Sequence, residues 1–254
     1  MKYLIFTFFF FFTITNAQNS QLKTISIESK ALNEKRNLTI YFPKNFSTNK
    51  KYNVIYMADG QLLTDDYKEK IDSLINIKKI SEIVIIGVNS NETDIPNSYL
   101  QLRNYEYVEK NDAKDGTELA ARFKNHLTFF MNEVNEYATK ELKLKSKKKY
   151  FYGASNGAGF GVNLLNKYPN YFTGFILYSV AGENKDNFNE SVIKSPKIII
   201  RYGKEEVEPL ILNNIELIDL LKTKKYNVIS SSYDGRHKRK DWLNNFTKDI
   251  QTIN

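Results

Sequence analysis

Residues 150–161 read YFYGASNGAGFG, and this stretch decides the fold. An apolar run ends at Tyr152. Gly153, Ser155 and Gly157 follow at the spacing G-x-S-x-G, and then come Ala158, Gly159 and Gly161. An amphipathic segment with Val162, Leu164, Leu165 and Tyr168 continues to Pro169. The order is strand, sharp turn, helix. A serine on such a turn sits in strained backbone geometry with Oγ raised above the sheet, and small residues on either side let helix and strand pass closely. Ser155 is therefore a candidate nucleophile. The N–H of Asn156 is a candidate donor to a developing oxyanion.

Working outward, apolar strands alternate with helical segments. Residues 21–29 and 36–42 alternate apolar and polar positions, as half-buried antiparallel strands do. Residues 52–57 form a buried strand that runs into Ala58-Asp59-Gly60-Gln61, and 66–78 reads as a helix. Residues 82–88 are apolar throughout except at the first position and Gly87. A polar stretch at 89–115 holds Arg103, Tyr99, Tyr105 and Tyr107, and loops of that length are usually functional or disordered. Helical spacing over 117–142 puts Phe123, Leu127, Phe130, Val134 and Tyr137 on one face. Beyond the 150–152 strand, further strands are expected at 175–180, 198–202 and 227–233. Helices are expected at 158–168, 207–223 and 241–250. The alternation implies an α/β fold with a mostly parallel sheet covered on both faces. Its active site belongs beyond the C-terminal ends of the strands.

Composition narrows the class. A chain of 254 residues with 41% hydrophobic content suits one large domain, here 18–254. There is no cysteine, which excludes disulfides, thiolate catalysis and Cys-based zinc sites. The net charge of +8 is spread over many lysines, including 143–149 (KLKSKKK), and no nucleic-acid module accompanies it. At the N-terminus, Met1-Lys2 precedes an almost wholly apolar run at 3–14, and Thr15-Asn16-Ala17 supplies small residues before Gln18. This reads as a secretory signal peptide cleaved after Ala17, too short for a comfortable membrane span. The expected location is the periplasm or the extracellular space, with no stable membrane insertion once the leader is removed.

The chain has two histidines. His126 falls inside the long helical segment and reads as a helix-surface or packing residue. His237 lies just past the last strand, in YDGRHKRKDW at 233–242, where a general base could reach Ser155. An acid is needed to fix the imidazole tautomer. The turn Gly203-Lys204-Glu205-Glu206-Val207-Glu208 offers carboxylates, with Glu206 preferred and Glu205 second. The chain order serine, acid, histidine is that of α/β-hydrolases. A second oxyanion donor is expected from the turn after residue 58, at the N–H of Gln61 or Gly60.

Segment by segment, the chain resembles the esterase family of α/β-hydrolases that contains ferric enterobactin esterases, S-formylglutathione hydrolases, feruloyl esterases and mycolyltransferases. YNVIYMADGQ (52–61) is similar to its strand and D-G-Q turn, IVIIGV with RNYEY to its strand and R-x-x-E-Y loop, and YGASNGAGFG to its G-x-S-x-G-G elbow. RYGKEE and YDGRHKRKDW are similar to its acid-bearing turn and its G-G-H-x-x-W region. Ala158 and Arg236 stand where the family usually has glycine, and Trp242 is further from His237 than usual. The resemblance implies a carboxylesterase with Ser155, His237 and Glu206 as triad, oxyanion donors at Asn156 and Gln61, and no metal or organic cofactor. Its expected substrate is a small-molecule or glycan-linked ester, of siderophore or carbohydrate type. Gly60, Tyr178 and Arg103 are expected near substrate, Arg103 either facing an anionic group or forming a structural ion pair. Segments 89–115 and 181–191 are expected to frame the pocket. An acyltransferase of the mycolyltransferase type and a non-catalytic envelope binding protein are the alternatives.

Overall fold

The computed structural model describes residues 19–109, 119, 121–186, 188 and 195–253. The leader expected at 1–17 lies outside these residues. So do 110–118, the start of the helical segment at 117, and positions 187 and 189–191. The strands are β1 (Gln21–Ser29), β2 (Glu34–Phe42), β3 (Lys51–Ala58), β4 (Ile83–Val88), β5 (Lys145–Ala154), β6 (Gly174–Tyr178), β7 (Lys197–Gly203) and β8 (Asn227–Tyr233). The helices are α1 (Asp65–Asn76), α2 (Leu102–Tyr107), α3 (Arg122–Thr128), α4 (Val134–Lys140), α5 (Asn156–Lys167), α6 (Glu208–Thr223) and α7 (Arg239–Ile253), and a π-helical turn at Phe129–Glu133 joins α3 to α4.

One eight-stranded sheet runs in the order β1-β2-β4-β3-β5-β6-β7-β8. The β1/β2 and β2/β4 pairs are antiparallel, and every other pair is parallel. This is the expected α/β arrangement. The physical cause is visible in β4, whose six residues IVIIGV are all buried, as a strand covered on both faces must be. β1, at the sheet edge, alternates exposed and half-buried positions from Thr24 to Glu28.

Side-chain alternation divides the core into two layers. Tyr56 and Phe151 point to one face, where they meet Phe130 of the π turn and Phe160 of α5. Their neighbours Ile55 and Tyr152 point to the other, against Tyr67 of α1 and Phe246 of α7. Phe160 is fully buried between Tyr107, Phe123, Phe130 and Phe151. Truncating such a side chain costs about 3–5 kcal/mol.

Two elements depart from the sequence reading. β5 begins at Lys145 rather than near residue 150, and its first half is largely solvent-facing. That half extends beyond the core to pair with Lys51 and Tyr52 of β3, so lysines decorate it without hydrophobic periodicity. α2 lies inside the polar stretch where a loop was expected. At six residues it is too short to show periodicity, and it is fixed by a capping box between Gln101 and Asn104.

Candidate active site

The parallel strands β3 to β8 run in one direction, which gathers the turns after them along one edge. Ser155 follows β5 with φ 54° and ψ −129°, a backbone state that costs a non-glycine residue about 1–3 kcal/mol. Its N–H donates to the Tyr178 carbonyl at 2.8 Å, and its own carbonyl accepts from Ala158 and Gly159 of α5. The glycines permit this approach: a Cβ on Gly153 would lie 2.4 Å from the Gly157 carbonyl oxygen, and one on Gly159 would lie 2.1 Å from that of Ala181. Ala158, where the resemblance leads one to expect glycine, is buried in the core beneath the turn.

Glu206 follows β7, with its side chain wholly buried. Oε1 accepts from Ser179 Oγ at 2.5 Å and from the Tyr233 hydroxyl at 3.2 Å, and lies 3.6 Å from His237 Nδ1. Oε2 is buried without a hydrogen-bond partner. Burial pushes the Glu206 pKa up, but the contacts with His237 and Ser179 outweigh it and hold the carboxyl below its usual range. Glu205 instead reaches outward to Arg236, 2.9 Å away, so the structure brings Glu206 to the imidazole and leaves Glu205 at the surface. The His237 ring stands edge-on to Trp242, 4.9 Å between centroids. The long sequence gap to Trp242 is closed because α7 starts at Arg239 and folds the indole back beneath the imidazole. Trp242 Nε1 donates to Ser179 Oγ at 3.1 Å. Both Ser179 and Tyr233 contact the carboxylate; Ser179 carries no motif, and Tyr233, which opens the 233–242 segment, has no sequence signal for this contact. Among the described residues, Ser155 Oγ and His237 are not hydrogen-bonded to one another. Such links are often long before substrate binds.

On the other side of Ser155, the turn after β3 begins with Asp59 in the left-handed region, φ 55° and ψ 51°. Among the described residues, the N–H groups of Gln61 and Asn156 have no acceptor, as free oxyanion donors require. The Gln61 side chain is engaged elsewhere, with Ser90 and Glu92. The three residues expected near substrate are each engaged by the protein itself, Arg103 in the structural ion pair that was one of its two readings. Arg103 spends its guanidinium on the protein, donating from Nε and Nη2 to the two Asp59 oxygens at 2.6 and 2.7 Å and from Nη1 to Asn156 Oδ1 at 3.3 Å. Tyr178 is fully buried and donates its hydroxyl to Asp249 at 2.7 Å. Gly60 is buried against β4, where a Cβ would lie 2.2 Å from the Gly87 carbonyl carbon.

Behind α2, Glu106 is fully buried and accepts from Arg36 at 2.5 and 3.0 Å and from Arg122 at 2.6 Å. His126 Nδ1 lies 3.7 Å away, and burial pushes that imidazole down to about 4. His126 is thus a core residue, the packing member of the two readings its place in the helical segment left open. Among the described residues, no group of acidic and histidine side chains could hold a metal ion.

A cleft of about 750 Å³ opens beside the serine turn, walled by Ala181, Gly182, Glu183, Val207, Pro209 and Leu210. The Ala181 N–H donates to the Ser155 carbonyl at 3.3 Å, and Asn156 Nδ2 donates to the Ala181 carbonyl at 3.4 Å. Of the two segments expected to frame the pocket, the described part of 181–191 lines this cleft. The described part of 89–115 lies on the Asp59 side.

A family model described as "Putative esterase" matches residues 29–253. A Bacillus subtilis (strain 168) protein described as "Uncharacterized protein YjcH" is 25% identical over 250 residues, covering 89% of this chain and 94% of its own. Among solved structures, a ferulic acid esterase superposes with a TM-score of 0.73 at 19% identity, over 93% of this chain and 98% of that one. The enterobactin esterase FES from Shigella flexneri, solved with enterobactin, superposes with a TM-score of 0.70 at 15% identity, over 92% of this chain and 58% of that one. At these identities the likeness establishes a shared α/β-hydrolase fold.

Proposed function

The chain belongs to the esterase family, and on that premise we propose that it is an exported serine carboxylesterase working through Ser155, His237 and Glu206. The observation that carries the reading is Ser155 itself, held at φ 54° between β5 and α5 beside an Asn156 N–H free to donate. In the proposed cycle His237 takes the proton of Ser155 Oγ as that oxygen attacks the ester carbonyl. Glu206, facing Nδ1, stabilises the imidazolium. The N–H groups of Asn156 and Gln61 receive the oxyanion. The alcohol leaves with the proton from His237, and water, deprotonated by the same imidazole, releases the acid from Ser155.

The cleft beside Ala181 and Val207 would take the larger part of the substrate. Its mixed wall, with Val207 exposed and Glu183 and Asn213 alongside, suits an ester that carries both a ring and hydroxyl groups, of carbohydrate or siderophore type. Export follows from the leader-like pattern at 1–17. Turnover of a panel of aryl, feruloyl-sugar and catecholate esters by residues 18–254 tests the reading. Ser155→Ala is expected to lower kcat by roughly 10⁴-fold or more. Full turnover in that variant would refute the mechanism. Acyl product trapped on added glycerol or sugar at the expense of free acid would favour acyl transfer by the same residues.

A further inference from the structure

We infer that Arg103 is a positioning residue for the oxyanion hole, tying the turn that carries the Gln61 N–H to the helix start that carries the Asn156 N–H. The inference rests on the esterase reading of Ser155 and extends it to a residue that does not touch substrate. Two of its nitrogens grip both oxygens of Asp59, and the third donates to the Asn156 side chain. The pair is largely shielded, with 18% of the Arg103 side chain and 5% of that of Asp59 exposed, so its attraction is screened less than that of a surface ion pair.

The turn is held at a second point from the same helix. Tyr107, four residues after Arg103 on α2, accepts the Asp59 N–H at 2.9 Å, and its ring lies 5.0 Å from the guanidinium carbon. Side chain and backbone of Asp59 are thus both fixed by α2. Asp59 is the left-handed residue that sets the course of the next two positions, and Gln61 is the second of them. Nor is there slack between turn and elbow: a Cβ on Gly157 would lie 2.9 Å from Asp59 Oδ2 and 3.1 Å from Ala58 Cβ. The Asn156 side chain passes the link on to Ala181 at the cleft.

The guanidinium is suited to this task. Its planar fork meets a carboxylate with two parallel bonds and leaves one nitrogen for a third partner. A lysine ammonium replaces the charge but not the fork. Oxyanion donors accelerate a reaction only when they are fixed before the charge develops, and a displacement of about 1 Å can lower the rate about 10²-fold. Losing the link should therefore act on the chemical step, leaving substrate affinity in place.

The test compares wild type, Arg103→Met and Arg103→Lys by kcat and KM on one aryl ester, by melting temperature, and by NMR order parameters of the Gln61 and Asn156 N–H groups without substrate. In R103M, kcat should fall about 10- to 100-fold with KM within about threefold, and the order parameters of both amides should fall. R103K should recover much of the melting temperature, because Asp59 keeps a cation, while kcat stays about tenfold down. Four results overturn the inference: kcat within twofold of wild type in R103M, kcat restored together with stability in R103K, a raised KM at unchanged kcat, or unchanged order parameters at both amides in R103M. If wild type itself shows no Ser155-dependent turnover while the order parameters still fall in R103M, the esterase reading fails and the positioning of the two amides by Arg103 stands.

Discussion

The two sides of Ser155 are built differently. On the Asp59 side, one arginine, one tyrosine hydroxyl and two close glycine contacts lock the turn after β3 to the elbow. On the Glu206 side the carboxylate is equally buried, but the imidazole it faces is 37% exposed and stands 3.6 Å away, with one carboxylate oxygen unpartnered. The contrast fits the work that the proposed mechanism gives each side. Donors to an oxyanion must be fixed before charge appears, whereas a base must swing between a serine, a leaving alcohol and a water. A buried, unpartnered carboxylate oxygen is costly. It favours any imidazole movement that brings Nδ1 within bonding range.

The largest effect that sharpens this contrast should come from removing the charge on the loose side. Glu206→Gln keeps the shape but cannot stabilise an imidazolium, and kcat is expected to fall about 10³-fold, read in the same ester assay. A loss under tenfold would mean that Glu206 only packs.

Acid should strike the locked side. The folded state holds the His126 pKa near 4, below the ordinary 6.5, so between those values the unfolded chain binds the proton and the folded chain does not. Stability is therefore lost as pH falls from about 6.5 towards 4, by about 3 kcal/mol from this group if the shift is fully expressed. Glu106 acts in the same direction. Its burial raises the pKa, but the charges of Arg36, Arg122 and, once it is protonated, His126 hold it below the ordinary 4.5, so its contribution disappears as pH falls below that value. Urea midpoints between pH 7 and 4.5 read the slope, and His126→Leu should flatten it. A slope unchanged in that variant would place the acid sensitivity elsewhere.

The smallest effect is expected at Arg236. Its side chain pairs with Glu205 on the open surface, and exposed pairs contribute about 0–1 kcal/mol. Arg236→Gly, which restores the residue usual in the family, should change kcat/KM less than about threefold. A tenfold gain would show that the His237 loop is held back by this residue.

Most of the fold could be read from the sequence because its signals are local. The apolar runs of β3, β4, β6 and β7, and the glycines at 153, 157, 159 and 161, each declare a strand or a tight approach within a few residues. The serine, the acidic turn and the histidine could be read for the same reason, each lying just past a strand end. What could not be read depends on distant pairs. Asp59 and Arg103 are 44 residues apart and meet only once β3 and α2 are placed. Ser179 finds Glu206 across 27 residues. Tyr178 follows the apolar pattern of β6 up to the edge, yet alternation turns its side chain into the α7 layer, away from the cleft. The lysine-rich start of β5 obeys no hydrophobic period because the core does not reach it.

The central claim is that Ser155 is a nucleophile activated by His237, and covalent labelling tests it most directly. Purified residues 18–254, wild type and His237→Ala, would be treated with a fluorophosphonate and the modified peptide mapped. The account predicts one label, on Ser155, that forms in wild type and is lost or slowed by orders of magnitude in His237→Ala. No label on well-folded wild-type protein, or a label that forms equally fast without His237, would contradict it.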